Sequence, residues 1–363
     1  MISPEPDRAA GRQSRRSRRW LLVVGAATVL VVVVVVVVVV VFVVITRTSR
    51  RQPGAVALPL RSVGAVALPG DGSRFDYASL DAQRGLLFVA QLGASEVIEV
   101  DVHSHRVLRT IGALPQVHGV LVVPEVHRVY ATATGTDQMV TLDEDTGAVL
   151  HTTPTGQYPD GLAYDPHRGA VWATNEQGGT ETVIDATSGA VRGTVVLGGE
   201  VGNVVYDPTQ DRMLVAVQGR NDLAVIDPST LVITTRVPLP GCEHDHGLAV
   251  DPGSRVAFIA CDSNATLLTL DLTTGQVTGT NMVGEQPDVL AYDQNAHRLY
   301  VASESGWVST LDLRGQQLSI SGSDHLADDA HVVAVDPDTH HSYYPVPAGA
   351  NGHPALLEFA PAD

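Results

Sequence analysis

The chain repeats itself every 42 to 44 residues, and no other feature narrows its fold as far. Segments in which a turn precedes an apolar strand recur seven times: LDAQRGLLFVA, VVPEVHRVYATA, YDPHRGAVWATN, YDPTQDRMLVAV, VDPGSRVAFIAC, YDQNAHRLYVAS and VDPDTHHSYYPV. Their equivalent positions are Asp81, Val123, Asp165, Asp207, Asp251, Asp293 and Asp336. A second landmark follows each of these by 19 to 22 residues, at Asp101, Asp143, Asp185, Asp227, Asp271, Asp312 and Glu358. It opens hairpin-type turns such as DEDTGAVL and DATSGAVR, in the Asp/Gly/Ser/Thr chemistry that favours tight turns. Each unit therefore has room for four short strands, which is the signature of a propeller blade. A single blade cannot bury both of its faces, so seven are expected to pack radially and close. The last unit runs out after its third strand, and Leu60–Leu68 (LRSVGAVAL) is an orphan apolar stretch upstream of the first. That stretch is expected to supply the missing outer strand and fasten the ring.

Composition agrees. Val, Thr, Gly and Asp recur throughout, and after residue 50 there is no long Ala/Leu/Glu/Lys-rich stretch to support a helix. The expected fold class is all-β: a seven-bladed β-propeller over 60–363, its ring closed by an N-terminal strand, preceded by one transmembrane helix. The strands Leu87-Phe88-Val89-Ala90, Val171-Trp172-Ala173-Thr174-Asn175 and Leu299-Tyr300-Val301-Ala302 have the xYVAx form. With the turns Val183-Ile184-Asp185 and Val225-Ile226-Asp227, they resemble those of the YVTN-repeat, YncE-like seven-bladed propellers. The resemblance covers about residues 60–363. It implies the fold and is nearly silent on activity, because that family consists mostly of uncharacterised binding proteins.

Residues 20–45 are uncharged and apolar, with valine at every position from Val31 to Val41. At ~1.5 Å per residue such a helix spans the ~30 Å hydrocarbon core. The arginines of the basic tail at 1–19 outnumber Arg47, Arg50 and Arg51 on the far side. Positive charge stays inside, so the tail is expected to be cytoplasmic and the propeller extracytoplasmic, on a single-pass membrane protein with a short tether at 46–59. A cleaved signal peptide, with Ala55-Val56-Ala57 as its site, is the rival reading. The length of the apolar run and the charges that follow it favour an uncleaved anchor. Both readings export the body. All 23 basic residues other than histidine are arginine, a coding bias that points to a bacterial source.

The net charge of −17 includes that basic tail, so the body alone is more acidic still. Such a surface repels phosphate backbones, and nucleic acid is an unexpected partner. A cation, a small molecule or a basic protein surface suits it better.

Five residues before each repeat anchor, the chain enters the strand that lines the channel. The seven equivalents are Asp76, His118, Asp160, Gly202, His246, Asp288 and His331. Asp76, His118, Asp160, His246, Asp288 and His331 thus form a candidate ligand-binding ring, with small or apolar residues such as Gly119, Gly161, Gly247 and Val289 just behind. His118, His246 and His331 are candidate ligands for one divalent ion; imidazole suits Zn, Cu or Ni, and the carboxylates a harder ion such as Ca. Glu243, His244, Asp245, His325, Asp328 and Asp329 lie in loops feeding the same mouth. His103, His105, His340 and His341 fall in turns on the opposite face and are expected to be solvated. A hydrated ring without metal is the competing arrangement.

With a metal, the ring is a candidate hydrolase or lactonase centre by analogy with metal-centred propellers. Without one it is a binding or scaffold surface, or an inert channel in a protein-interaction module. No GxSxG, HExxH or phosphate-cradling loop names a reaction. Cys242 enters the fifth blade and Cys261 ends its second strand, so antiparallel pairing brings both to one mouth. In an oxidising exterior they are expected to form a disulfide worth ~3 kcal/mol on the loop-entropy model, the alternative being two buried thiols.

Overall fold

The computed structural model describes residues 53–362. The basic tail, the expected anchor at 20–45 and the start of the tether lie outside them. Among the described residues no helix is long and apolar enough to cross a membrane.

Twenty-eight strands form seven four-stranded antiparallel sheets, one per repeat, as the periodicity requires. In the fifth blade the strands are Asp245–Asp251, Val256–Cys261, Thr266–Asp271 and Gln276–Met282, running from the channel outward. The repeat aspartates explain the turns. Asp81, Asp165, Asp251 and Asp293 are buried, and each accepts backbone N–H bonds from residues two or three further on. The second carboxylate oxygen is taken by a side chain in three of them, Arg168 on Asp165, Tyr292 on Asp251 and His340 on Asp293. The second blade has Val123 there instead and uses a short 3-10 turn, Pro124–Val126, ended by His127 in a left-handed conformation (φ 51°).

Burial grades outward. The second strands, such as Leu86–Gln91, Ala170–Asn175 and Val256–Cys261, are buried at every position because a neighbouring blade covers each face. The outer strands Arg106–Ile111 and Gln276–Met282 alternate between exposed and half-buried. Trp172 is fully buried among Val204, Met213 and Val215 of the next blade, as inter-blade packing demands.

Closure follows the expected route. Leu60–Ala67 pairs antiparallel with Ala355–Pro361, completing the seventh blade beyond Ser342–Val346 and Ala334–Val335. Just upstream, Val56 exchanges two 2.7 Å backbone hydrogen bonds with Ser323 on the sixth blade, so the end of the tether is laid across that blade's outer edge. At the same seam Glu358 is held between His341 Nδ1 (2.7 Å) and His105 Nε2 (3.0 Å), and His340 meets Asp293 at 2.7 Å. These histidines were expected to be solvated: His105 is exposed as expected, yet like the half-buried His340 and His341 it also pairs with a carboxylate of the repeat landmarks.

Candidate functional site

The ring residues owe their direction to a repeated backbone irregularity. In blades two, three, five and six the register between the first and second strands slips by one residue, between Val117 and Val120, Pro159 and Leu162, Asp245 and Leu248, and Pro287 and Leu290. His118, Asp160, His246 and Asp288 sit inside these bulges, which re-aim a side chain out of the sheet alternation. In blades two and five the next blade lies so close that the residue after the ring position must be glycine, whereas blade six has room there for Val289. A Cβ on Gly247 would stand 2.2 Å from the Asp288 carbonyl oxygen, and one on Gly119 equally close to that of Asp160. The gap at Gly202 has the same cause: its Cβ would meet the His246 backbone at 2.8 Å.

A cavity of about 470 Å³ opens at this mouth. Asp76, His118, Asp160, His246 and Asp288 line it, while His331 is buried beside it and does not. Two further tiers complete the wall. Seven residues before the anchors come Arg74, Gln116, Tyr158, His244 and Gln286; eleven after them come Leu92, Glu176, Asp262 and Glu304. Gln116, Tyr158, His244 and Gln286 all take left-handed backbone (φ 50–64°), a conformation that costs energy for non-glycine residues and clusters at functional sites. Beneath, the channel continues as a space of about 290 Å³ walled chiefly by apolar groups such as Leu80, Val120, Val204, Leu248 and Val333. Its lining includes Ser79 and Asn203 but no acid, histidine or arginine, so charge, and not polarity as such, is confined to the upper level.

The charges are arranged unevenly. Arg74 reaches across from the first blade and bonds Asp76 (3.1 Å) and Glu304 (2.8 Å), with Asp288 at 3.8 Å. His246 meets Asp288 through Nε2 at 3.2 Å and Gln218 through Nδ1 at 2.9 Å. Burial by itself lowers the His246 pKa, but Asp288, Asp160 and Glu176 outweigh it and raise it to about 10. It is therefore an imidazolium at neutral pH. For Asp288 burial works upward, and His246, His331 and Arg74 overcome it to hold the carboxyl below its ordinary range.

The other side of the mouth has no such compensation. Asp160 is 4% exposed and its Oδ1 makes no hydrogen bond. Burial, then the charge of Asp76, pushes its pKa to about 7 against the pull of His118 and His246. Glu176 is raised by burial as well and accepts one hydrogen bond from the Gln218 amide at 2.9 Å. Between them, His118 Nδ1 donates to the Gln116 carbonyl at 2.8 Å, and its Nε2 lies 3.1 Å from the Tyr158 hydroxyl.

The three histidines are not drawn together. His331 Nδ1 donates to the Asp329 carbonyl at 3.0 Å, and its Nε2, 4.0 Å from Asp76, has no hydrogen-bond partner. Among the described residues no three His, Cys, Asp or Glu side chains are gathered as a metal-ligand set. The loop candidates divide. His244 lines the cavity and bonds Asp262 at 3.0 Å. Asp245 is buried in the blade outside the cavity, Glu243 is exposed, and His325 pairs with Asp328 at 3.2 Å away from the mouth, with Asp329 also outside it. Cys242 and Cys261 form the expected disulfide, with Cα atoms 5.3 Å apart, and pin the loop that carries His244 and His246.

Among the lining residues that the single-position ring missed are Arg74, Tyr77, Tyr158, Glu176, Asp262 and Glu304. Except for Tyr77, all lie at fixed offsets from the same anchors, so the repeat alignment read seven residues upstream and eleven downstream of them would have found these positions.

No family model and no curated protein sequence matches the chain. Solved structures do. A streptogramin B lyase superposes with a TM-score of 0.67 at 12% identity, over 82% of this chain and 96% of its own. The hydrazine synthase of Kuenenia stuttgartiensis gives 0.70 at 12%, over 82% and 98%. A chain of the mitotic checkpoint complex gives 0.71 at 13%, over 86% and 95%. At such identities the likeness establishes the seven-bladed propeller fold and nothing of the chemistry.

Proposed function

We propose that this protein is an extracytoplasmic, membrane-anchored binding propeller, akin to the YVTN-repeat proteins, whose ligand enters the charged mouth. The observation that carries the reading is the three-tiered cavity itself: about 470 Å³ of space walled by buried ionisable groups, one of them, Asp160, left without a hydrogen bond on Oδ1. A pocket of this size with a few convergent polar groups is the usual form of a small-molecule site. Structural neighbours that include enzymes and an assembly component support a propeller used for either binding or scaffolding. The disulfide fits an oxidising compartment, and the apolar run at 20–45 supports the anchor.

A metal-dependent hydrolase or lactonase is the second reading. A buried, raised carboxyl such as Asp160 is what a general acid or base needs. It receives less support, because among the described residues the imidazoles are not gathered with other donors at one point.

The test is a ligand screen by thermal shift on the detergent-solubilised full chain, beside His246→Ala and Glu176→Gln. Ligands that stabilise the wild type and lose their effect in both variants are expected. Ligands that shift all three proteins equally would move the function to the rim or the blade edges. Turnover of an ester or lactone, abolished by Asp160→Asn, would favour the enzyme.

A further inference from the structure

Resting on the mouth as a ligand site, we propose that its ligand is a small organic cation presenting an alkylammonium group to Asp160 and Glu176. Each cation of the mouth already has its anion: Arg74 has Asp76 and Glu304, His246 has Asp288, and His244 has Asp262. Among the described residues neither Asp160 nor Glu176 has an ion-pair partner, although both line the cavity. A negative side of the pocket is thus left open while the positive groups are spoken for.

Oδ1 of Asp160 is buried without a donor, and an unmet acceptor in such a place calls for one from the ligand. An ammonium brings three donors and no acceptor, and Glu176 lies close enough for its charge to act on Asp160, so both carboxylates attract a cation in this part of the cavity. Tyr77 and Tyr158 line the same cavity and offer aromatic faces, which attract cations. A divalent metal ion fits less well, because it needs several donors converging on one point and no three are gathered.

Binding is then linked to pH. Asp160 faces Asp76, Glu176, His118, His246, Tyr77 and Tyr158, and in the free protein it titrates at about 7. The cation favours the carboxylate, so uptake releases a proton near neutrality. Affinity falls at lower pH in proportion to the ionised fraction.

Isothermal titration of the full chain in detergent, with putrescine as the free amine and Nα-acetyl-lysine methylamide as the peptide-borne one, tests this. The side-chain-acetylated lysine is the uncharged control. Saturable binding by either amine is expected, at least tenfold weaker for Asp160→Asn and about 25-fold weaker at pH 5.5 than at pH 7.5, the ratio of ionised fractions for a group titrating at about 7. Asp211→Asn, in a turn on the opposite face, should bind as wild type does, and thermal unfolding of Asp160→Asn at or above the wild-type temperature guards against misfolding. Putrescine alone binding identifies a free amine, and the lysine derivative alone a protein side chain. Amine binding that Asp160→Asn leaves intact, or none by either amine at pH 7.5, overturns the inference. Calcium or zinc binding lost in Asp160→Asn would also overturn it, while leaving the mouth a ligand site.

Discussion

At Asp160 the cost of burying a carboxylate falls on the fold. Its pKa is raised to about 7 in the folded protein, against about 4 for an unfolded chain. The folded state therefore keeps a proton that the unfolded state gives up between those values, so this residue withdraws stability as pH climbs from about 4 to about 7. Asp160→Asn removes the charge and keeps the shape. The variant is expected to unfold at a higher temperature than wild type at pH 8, where each 1 kcal/mol is worth about 2–4 °C, and to lose that advantage at pH 4; differential scanning fluorimetry at the two pH values measures it. His246 works in the opposite sense. Raised to about 10, it adds stability that is complete below about pH 6.5 and is lost as pH rises through about 10. His246→Ala leaves Asp288 buried without its partner and should cost about 2–3 kcal/mol in urea unfolding. Combined with Asp288→Asn the loss should fall short of the sum, since the two side chains share one interaction.

The bulged first strand is the element that makes the mouth. It turns His118, Asp160, His246 and Asp288 toward the axis. It also brings neighbouring blades into backbone contact, so the tolerance for added atoms is least where the site is built. Gly247→Ala would force a Cβ to within 2.2 Å of the Asp288 carbonyl. Both strands must shift, and a loss of about 2–3 kcal/mol is expected. Gly112→Ala, with no atom within 4 Å of the added carbon, should change stability little. Equal effects of the two would show that the first strands can slide. The strands were legible in advance because turn aspartates and apolar runs obey short-range rules. The bulge was not, since a one-residue slip depends on how closely the next blade approaches. Arg74 escaped notice for a related reason: its role depends on Glu304, brought to it only by the closure of the ring.

Across the whole molecule, seven units with few local peculiarities close because the first and seventh share a blade. The repeat period was enough to count the blades and to place the closing strand, since stacking leaves no other way to bury both faces. The histidines needed more than the period. Spacing around a ring says which side chains share a level and not how far apart they stand, so the three-histidine centre, an expectation of spacing alone, did not assemble. The seam is also pinned by Glu358 between His341 and His105. Glu358→Gln weakens charge-assisted bonds there and should lower the unfolding free energy by about 1–2 kcal/mol. The check is native-state hydrogen exchange, in which the strands Leu60–Ala67 and Ala355–Pro361 should lose protection before the other blades.

That shared blade also orders events in time. A chain is synthesised from its N-terminus, so Leu60–Ala67 emerges before any of the strands it will rest against, and its partner, Ala355–Pro361, emerges after the other strands. Six blades can form from contacts within about forty residues, while the seventh waits for nearly the whole length of the body. Joining ends so distant in sequence is the slow kind of contact. Throughout that wait the early strand keeps an unpaired edge, the form of surface most apt to recruit another chain. The vulnerable period in this protein's life is the interval before that early strand is met by its late partner.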